Sequence, residues 1–347
     1  ALVSLLSAGT PVEREIATGA LRGLAVNSKN IVTIASEGAI KPLVSLLSMG
    51  TPDERENALG ALRGLAMIPK NRLAIAEAGA IKPLVSLLSM GTLSMRGNIF
   101  CILQSLAFLN PNNKAAIAKA GAIKPLVSLL SRGTPNERAN AARVLRSLAF
   151  HTKDIVAIAQ EGAIKPLVSL LSEGTPGERE NAAGALWRLA AEAENRAVIA
   201  KAGAIKPLVS LLSRGTPNER ANAADVLRRL ALRTENIVAI AQEGAIKPLV
   251  SLLSESTPGE RENAAGALWR LAMEAGNRAA IARAGAIEPL KSLLSDGTPS
   301  GRNHAAWLLR VLANISRDPE GSPFHGAGTS VLCSSPCRIL PKRPPLV

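Results

Sequence analysis

Residues 121–161, GAIKPLVSLLSRGTPNERANAARVLRSLAFHTKDIVAIAQE, recur along the chain with few changes. The opening Gly-Ala-Ile is found again at Gly38, Gly79, Gly162, Gly203, Gly244 and Gly285, a spacing of 41 residues with a single 42. Residues 1–7 (ALVSLLS) align with residues 166–172 (PLVSLLS), so a partial copy precedes the first full one. A period of this length belongs to a solenoid or a propeller, in which each unit buries its apolar face only against its neighbours.

Composition narrows the choice. The chain has 347 residues, 47% of them hydrophobic, but only 2% aromatic and no Tyr. Its core is therefore Leu, Ala, Ile and Val, a mixture that suits helices better than strands. No apolar run approaches the roughly 18 residues needed to cross a bilayer, and no charged segment leads into a cleavage site, so a soluble protein is expected. Cys101, Cys333 and Cys337 cannot frame a chain this long with disulfides. That fits a reducing, intracellular setting, cytoplasmic or nuclear. The net charge of +14 favours acidic partners without choosing among acidic protein segments, nucleic acid and anionic lipid.

Each copy reads as three helical segments. A short one, residues 195–202, is expected to start on Asn195 as N-cap and to end at Gly203, where a left-handed residue is tolerated. A second, residues 164–172, carries Pro166 in its first turn, and Leu167, Val168, Leu170 and Leu171 make it apolar nearly all round. The third opens with Thr175-Pro176-Gly177-Glu178, a capping box of hydroxyl at N-cap, proline at N1 and carboxylate at N3. The same Thr-x-x-Glu recurs at Thr10, Thr51, Thr134, Thr216 and Thr257. Ala182, Ala183, Leu186, Leu189 and Ala190 follow at helical spacing as the buried stripe.

A three-helix unit of this length, with GAIKPLVSLLS in its second helix and ENAAGALWRLA (residues 180–190 and 262–272) in its third, resembles the armadillo repeat. HEAT repeats are two-helix units without the separate first helix. The resemblance implies an all-α fold, a right-handed α-solenoid of about eight repeats, over residues 1–317. The copies are a partial one at 1–37, then 38–78, 79–120, 121–161, 162–202, 203–243 and 244–284, and a capping one at 285–317. Residues 318–347, rich in Pro, Gly and Ser, are expected to be a disordered tail. The first copy starts inside its second helix, which leads us to expect a fragment with more protein upstream.

Two copies stand apart. The copy at 79–120 loses its capping glutamate (Thr92-Leu93-Ser94-Met95) and carries its extra residue near Asn110-Pro111-Asn112-Asn113. The last copy has Glu288 for the recurring Lys, Lys291 for Val and Gly301 for the capping Glu, the polar dressing expected of a solenoid end. Residues 121–202 and 203–284 are nearly identical blocks, so identity between copies reflects duplication rather than function.

In the armadillo family the third helices line a concave groove that takes extended peptides, and the resemblance supplies a candidate surface here. Asn140, Asn181, Asn222 and Asn263 head one face, where an amide suits a grip on a peptide backbone or, equally, a bond to the neighbouring helix. Arg188, Arg229 and Arg270 follow seven residues later. Arg146 and Arg228 add charge one position earlier, where Trp187 and Trp269 stand in alternate copies, either as hot spots for a partner or as packing on the next third helix. Importin-α-type proteins hold basic signals with Trp and Asn columns, of which only Trp307 survives, and the arginines would repel such a signal. The pattern resembles instead the β-catenin, vacuolar and plant U-box branch, which implies extended acidic protein partners and a monomeric scaffold. At about 10 Å per repeat and about 3.3 Å per extended residue, one repeat serves about three ligand residues.

Two alternatives belong to other classes. One is the substrate-recognition part of a larger U-box ubiquitin ligase. The other is charge-driven binding of nucleic acid or of a membrane surface through the stripe at Lys41, Lys82, Lys124, Lys165, Lys206 and Lys247. The arginines at Arg14, Arg55, Arg96, Arg138, Arg179, Arg220, Arg261 and Arg302 are expected to form a structural ladder between repeats. No catalytic residues, metal site or cofactor are expected. His151, His304 and His325 are scattered, no phosphate loop is present, and Cys333 and Cys337 lack a second pair of ligands.

Overall fold

The computed structural model describes residues 1–254 and 256–313, in which it forms 23 helices and no strand. The expected tail, with His325, Cys333 and Cys337, lies outside the described residues. The partial copy contributes a second and a third helix, and seven complete sets of three follow.

Each short helix meets the following second helix across the glycine of the Gly-Ala-Ile triplet. All seven of these glycines lie at φ between 80° and 88°, a conformation that a Cβ makes costly. The bend between the helices is 84° at Gly38, 84° at Gly79 and 76° at Gly162. Beyond the elbow, Leu167, Val168, Leu170 and Leu171 are all buried, as the nearly continuous apolar circumference requires. Ala182, Ala183, Leu186, Leu189 and Ala190 are buried in the third helix, Pro176–Leu189, and its cap. Small alanines on that stripe let successive third helices lie side by side, so these helices form a continuous layer. Burying each such leucine contributes about 2 kcal/mol.

The capping boxes form at all six expected positions, and the glutamate in them has a second role. In the 162–202 copy, Thr175 donates to Glu178 Oε2 through its amide (2.7 Å) and its hydroxyl (2.8 Å). Oε1 of the same carboxylate accepts from Arg138 Nε of the preceding copy at 2.6 Å. Arg138 in turn donates from Nη1 to the Gly133 carbonyl at 3.0 Å. Equivalent ion pairs join Arg14 to Glu54 (2.8 Å), Arg179 to Glu219 (2.7 Å), Arg220 to Glu260 (2.6 Å) and Arg96 to Glu137. Five of the eight arginines thus form the ladder that the sequence suggests, Arg261 pairs across its junction with Asp296 instead, and Arg55 and Arg302 donate to carbonyls of their own copies. The lysine stripe, by contrast, is exposed throughout.

Three local findings differ from expectation. Asn195 is not an N-cap: the helix is Ala193–Lys201, with Glu192 at its cap, and Asn195 sits buried in the first turn. Its Nδ2 donates to the Leu189 carbonyl at 3.0 Å, closing the C-terminal end of the preceding third helix. Asn71, Asn113, Asn236 and Asn277 do the same. Second, the extra residue of the divergent copy is Leu109, ahead of the expected loop. It has φ 52°, and its third helix, Leu93–Ala107, is one residue longer than most. Asn110 caps the next helix. Third, the second helix Ile246–Ser251 is shorter than the ten-residue Ile164–Glu173. Ser256 stands where other copies have glycine. At Gly174 a Cβ would lie 2.5 Å from the Leu170 carbonyl oxygen and 2.9 Å from Glu178 Cβ, so a serine cannot take that path. The Ser256 hydroxyl instead bonds the Leu252 carbonyl.

Candidate peptide groove

Four columns of the third helices line the inner layer, represented in the 162–202 copy by Asn181, Gly184, Trp187 and Arg188, and several large side chains of one copy meet a glycine of the next. A Cβ at Gly60 would lie 2.7 Å from Arg22 Cδ, one at Gly184 2.7 Å from Arg146 Nη1, and one at Gly266 2.6 Å from Arg228 Cδ. Each arginine therefore lies over the glycine of the next copy. Arg143 and Gln104 meet in the same register, Nη1 to Oε1 at 3.5 Å, as do the rings of Trp269 and Trp307, with centroids 6.0 Å apart. Gly60, Gly184 and Gly266 are thus filled by an arginine of the copy before, which leaves no room there for the tryptophans of the importin-α pattern.

The asparagine column bonds partly across to the neighbouring helix and partly within its own helix. Asn222 and Asn263 donate across the repeat junction to the Glu180 carbonyl (3.3 Å) and the Ala221 carbonyl (3.1 Å). Asn181 donates to Gly177 of its own helix at 2.8 Å. Asn140 donates to the Asn136 carbonyl at 2.9 Å and accepts from Gln104 Nε2 at 3.3 Å. Their amides hold the floor together.

Trp187 is half-buried, with the guanidinium carbons of Arg188 and Arg229 at 4.5 and 4.4 Å from its ring. Arg270 stands 4.1 Å from the Trp269 ring. Cation–π contacts of this kind contribute about 0.5–2 kcal/mol. Burial, and then the neighbouring Arg146, push the Arg188 guanidinium below its usual value, yet an arginine stays charged in water's pH range. Arg228 is bonded to Asp225 one turn earlier through Nε (2.8 Å) and Nη2, which the two residues' i, i+3 spacing makes legible. His304 occupies the asparagine column in the last copy and stacks on Trp269 at 5.6 Å. Burial, then Arg228, lower its pKa, with Glu262 opposing, so its ring is neutral at pH 7.

The opposite end of the groove is open. A depression of about 960 Å³ is lined by Arg22, Arg63, Gly23, Gly60, Gly64, Gly97, Asn98, Cys101 and Asn140 among others. Sequence reasoning placed its candidates at the Trp and Arg end, and of them only Asn140 reaches this depression. The signal it passed over is the run of glycines in two adjacent columns, Gly19, Gly60, Gly23 and Gly64. Among the described residues no group of three His, Cys, Asp or Glu side chains could hold a metal, and no single helix is long and apolar enough to cross a membrane.

Elbow, apolar second helix, capped third helix and concave inner layer define an α-solenoid whose inner face is built from third helices. The model of the armadillo/beta-catenin-like repeat matches residues 27–67, 110–150, 151–191, 233–273 and 275–314. The chain belongs to that family, whose repeats generally mediate protein–protein interaction on a typically non-enzymatic scaffold. Its solved likenesses include an engineered protein from structural genomics, at 28% identity and TM-score 0.82, covering 90% of this chain and 78% of that one. A designed armadillo repeat protein is similar at 26% identity and TM-score 0.62, covering 67% of this chain and 99% of the other. No curated protein matches.

Proposed function

We propose that the groove binds extended, acidic protein segments, with the chain acting as a monomeric intracellular scaffold of the β-catenin-like kind. One observation carries the reading. Every charged side chain on the four columns of the floor is an arginine except Asp225, and Asp225 is bonded to Arg228. A concave surface of one sign attracts and orients the opposite charge.

The experiment is fluorescence anisotropy of the full chain with acidic, basic and scrambled extended peptides and a short RNA, at low and physiological salt. Acidic peptides are expected to bind selectively, and combined Arg188→Glu, Arg229→Glu and Arg270→Glu to weaken them by about tenfold or more. Equal binding of every anion, steeply salt-dependent and indifferent to those changes, would leave only charge-driven association and overturn the reading.

A further inference from the structure

The residue that follows the closing Leu-Ala of a third helix is Val26, Met67, Phe108, Phe150, Leu232 or Met273 in six copies, with Ala191 in a seventh and Asn314 after the last. These six side chains are between 42 and 83% exposed. The fold does not call for them, because the Leu-Ala just before each one, buried in every case but the exposed Leu24, already supplies the core. Nor is apolarity general at exposed positions. The residue ending the second helix is Met49 or Met90 in two copies, but Arg132, Glu173, Arg214 or Asp296 in others. A position that stays apolar and exposed from repeat to repeat places a row of apolar side chains along one edge of the solenoid, and such rows mark interaction sites.

The row is continuous with the groove. Val26 and Met67 form part of the wall of the same depression whose floor is Gly60, Gly64, Asn98 and Asn140. The charged side chains lining that depression are Arg22 and Arg63, with no carboxylate among the lining residues. Farther along, cations flank the row. The Arg72 guanidinium is 5.7 Å from the Phe108 ring centre and Lys114 Nζ is 4.2 Å from that of Phe150. A flat bilayer cannot follow side chains that open into a concavity and recur singly at about 10 Å. An extended chain lying in the groove can.

We propose that this row is a side wall of the groove, and that it takes one apolar side chain from every third residue of an extended acidic segment. The proposal rests on the groove reading above and adds to it the pattern of the partner: acidic overall, with apolar residues at a spacing of three. Three extended residues span about 10 Å, which matches the advance from one wall residue to the next.

The test uses the full chain and two labelled acidic peptides of about fifteen residues, the span of about five repeats at this spacing. They have equal composition and charge with five leucines each, placed at every third position in one and at every second position of a nine-residue stretch in the other. The every-third peptide is expected to bind about tenfold more tightly. That advantage should vanish in the Met67→Ser, Phe108→Ser double variant, whose exposed positions leave helicity and melting unchanged. If both peptides bind alike and the double variant changes nothing, the wall is overturned while the groove stands. If neither binds and the chain instead floats with phosphatidylserine vesicles in a manner that needs Met67 and Phe108, wall and groove readings both fall.

Discussion

The junction between the copies at 121–161 and 162–202 and the one between those at 38–78 and 79–120 differ chiefly in one side chain. At the first, Glu178 closes its own capping box and receives Arg138 from the copy before. At the second, Met95 stands in the glutamate's place. Thr92 keeps half of the cap, its hydroxyl accepting from the Met95 amide at 3.2 Å. Arg55, left without a carboxylate, donates to the Ser48 carbonyl at 3.0 Å, and its Nε finds no hydrogen-bond partner. Comparison of the two shows that a residue chosen for local capping also decides how firmly one repeat holds the next.

The most damaging way to erase the difference is Glu178→Ala. It strands Arg138 and the Thr175 amide and hydroxyl together, and breaking a buried pair from one side costs about 3–5 kcal/mol. Urea unfolding should show this as a lowered midpoint, and an unchanged midpoint would refute the ladder's importance.

Acid attacks three of the complete junctions together. At Glu178, burial pushes the pKa up, but the bonds from Thr175 and Arg138 outweigh it and hold the carboxyl below its ordinary value. The same balance holds for Glu137 with Thr134 and Arg96, and for Glu260 with Thr257 and Arg220. A carboxylate with its folded pKa depressed contributes stability above the unfolded value, about 4.3. That stability is lost as pH falls from there through the folded pKa. Melting temperature followed from pH 7 downward should therefore be level until about pH 5 and then fall. A variant lacking Glu178 should fall less steeply.

Met95→Glu runs the comparison in reverse. It supplies both the second arm of the cap and a partner for Arg55, and should stabilise by about 1 kcal/mol. Double-mutant analysis with Arg55→Ala separates the two contributions. The smallest effect is expected at Asp154, which stands where other copies have the asparagine that bonds a helix-end carbonyl. It is buried, and its Oδ2 has no hydrogen-bond partner. Asp154→Asn should restore a donor to the Leu148 carbonyl, as Asn195 supplies one to Leu189, and raise stability by about 0.5–1 kcal/mol. Thermal melts of the two variants side by side rank these effects.

What the sequence made legible is what a short window decides. The elbow glycines, the six capping boxes and the apolar second helices each depend on neighbours within about one turn, and all are as expected. Asn195 looks like an N-cap in the sequence because its bond crosses from one helix to the end of another, and a side chain that could cap gives no sign that it is used elsewhere. Ser256 carries no signal in the sequence because the glycine it replaces has ordinary dihedrals and is needed only for want of space. The groove columns could be written down, but which side chain lies over which glycine depends on how two helices stack. Met67 and Phe108 attract no attention in one copy and become a row only when the loops are set beneath one another.

The doubly used glutamate also bears on the order in which the array comes apart. Because one carboxylate completes a helix in its own repeat and grips the repeat before it, folding of either neighbour favours folding of the other, and the chain behaves as a line of coupled units. The coupling is missing a rung where Met95 sits. Residues before it therefore unzip as a block ahead of those after it, and amide exchange should divide the solenoid there, with fast protons on the N-terminal side and slow ones across the duplicated repeats.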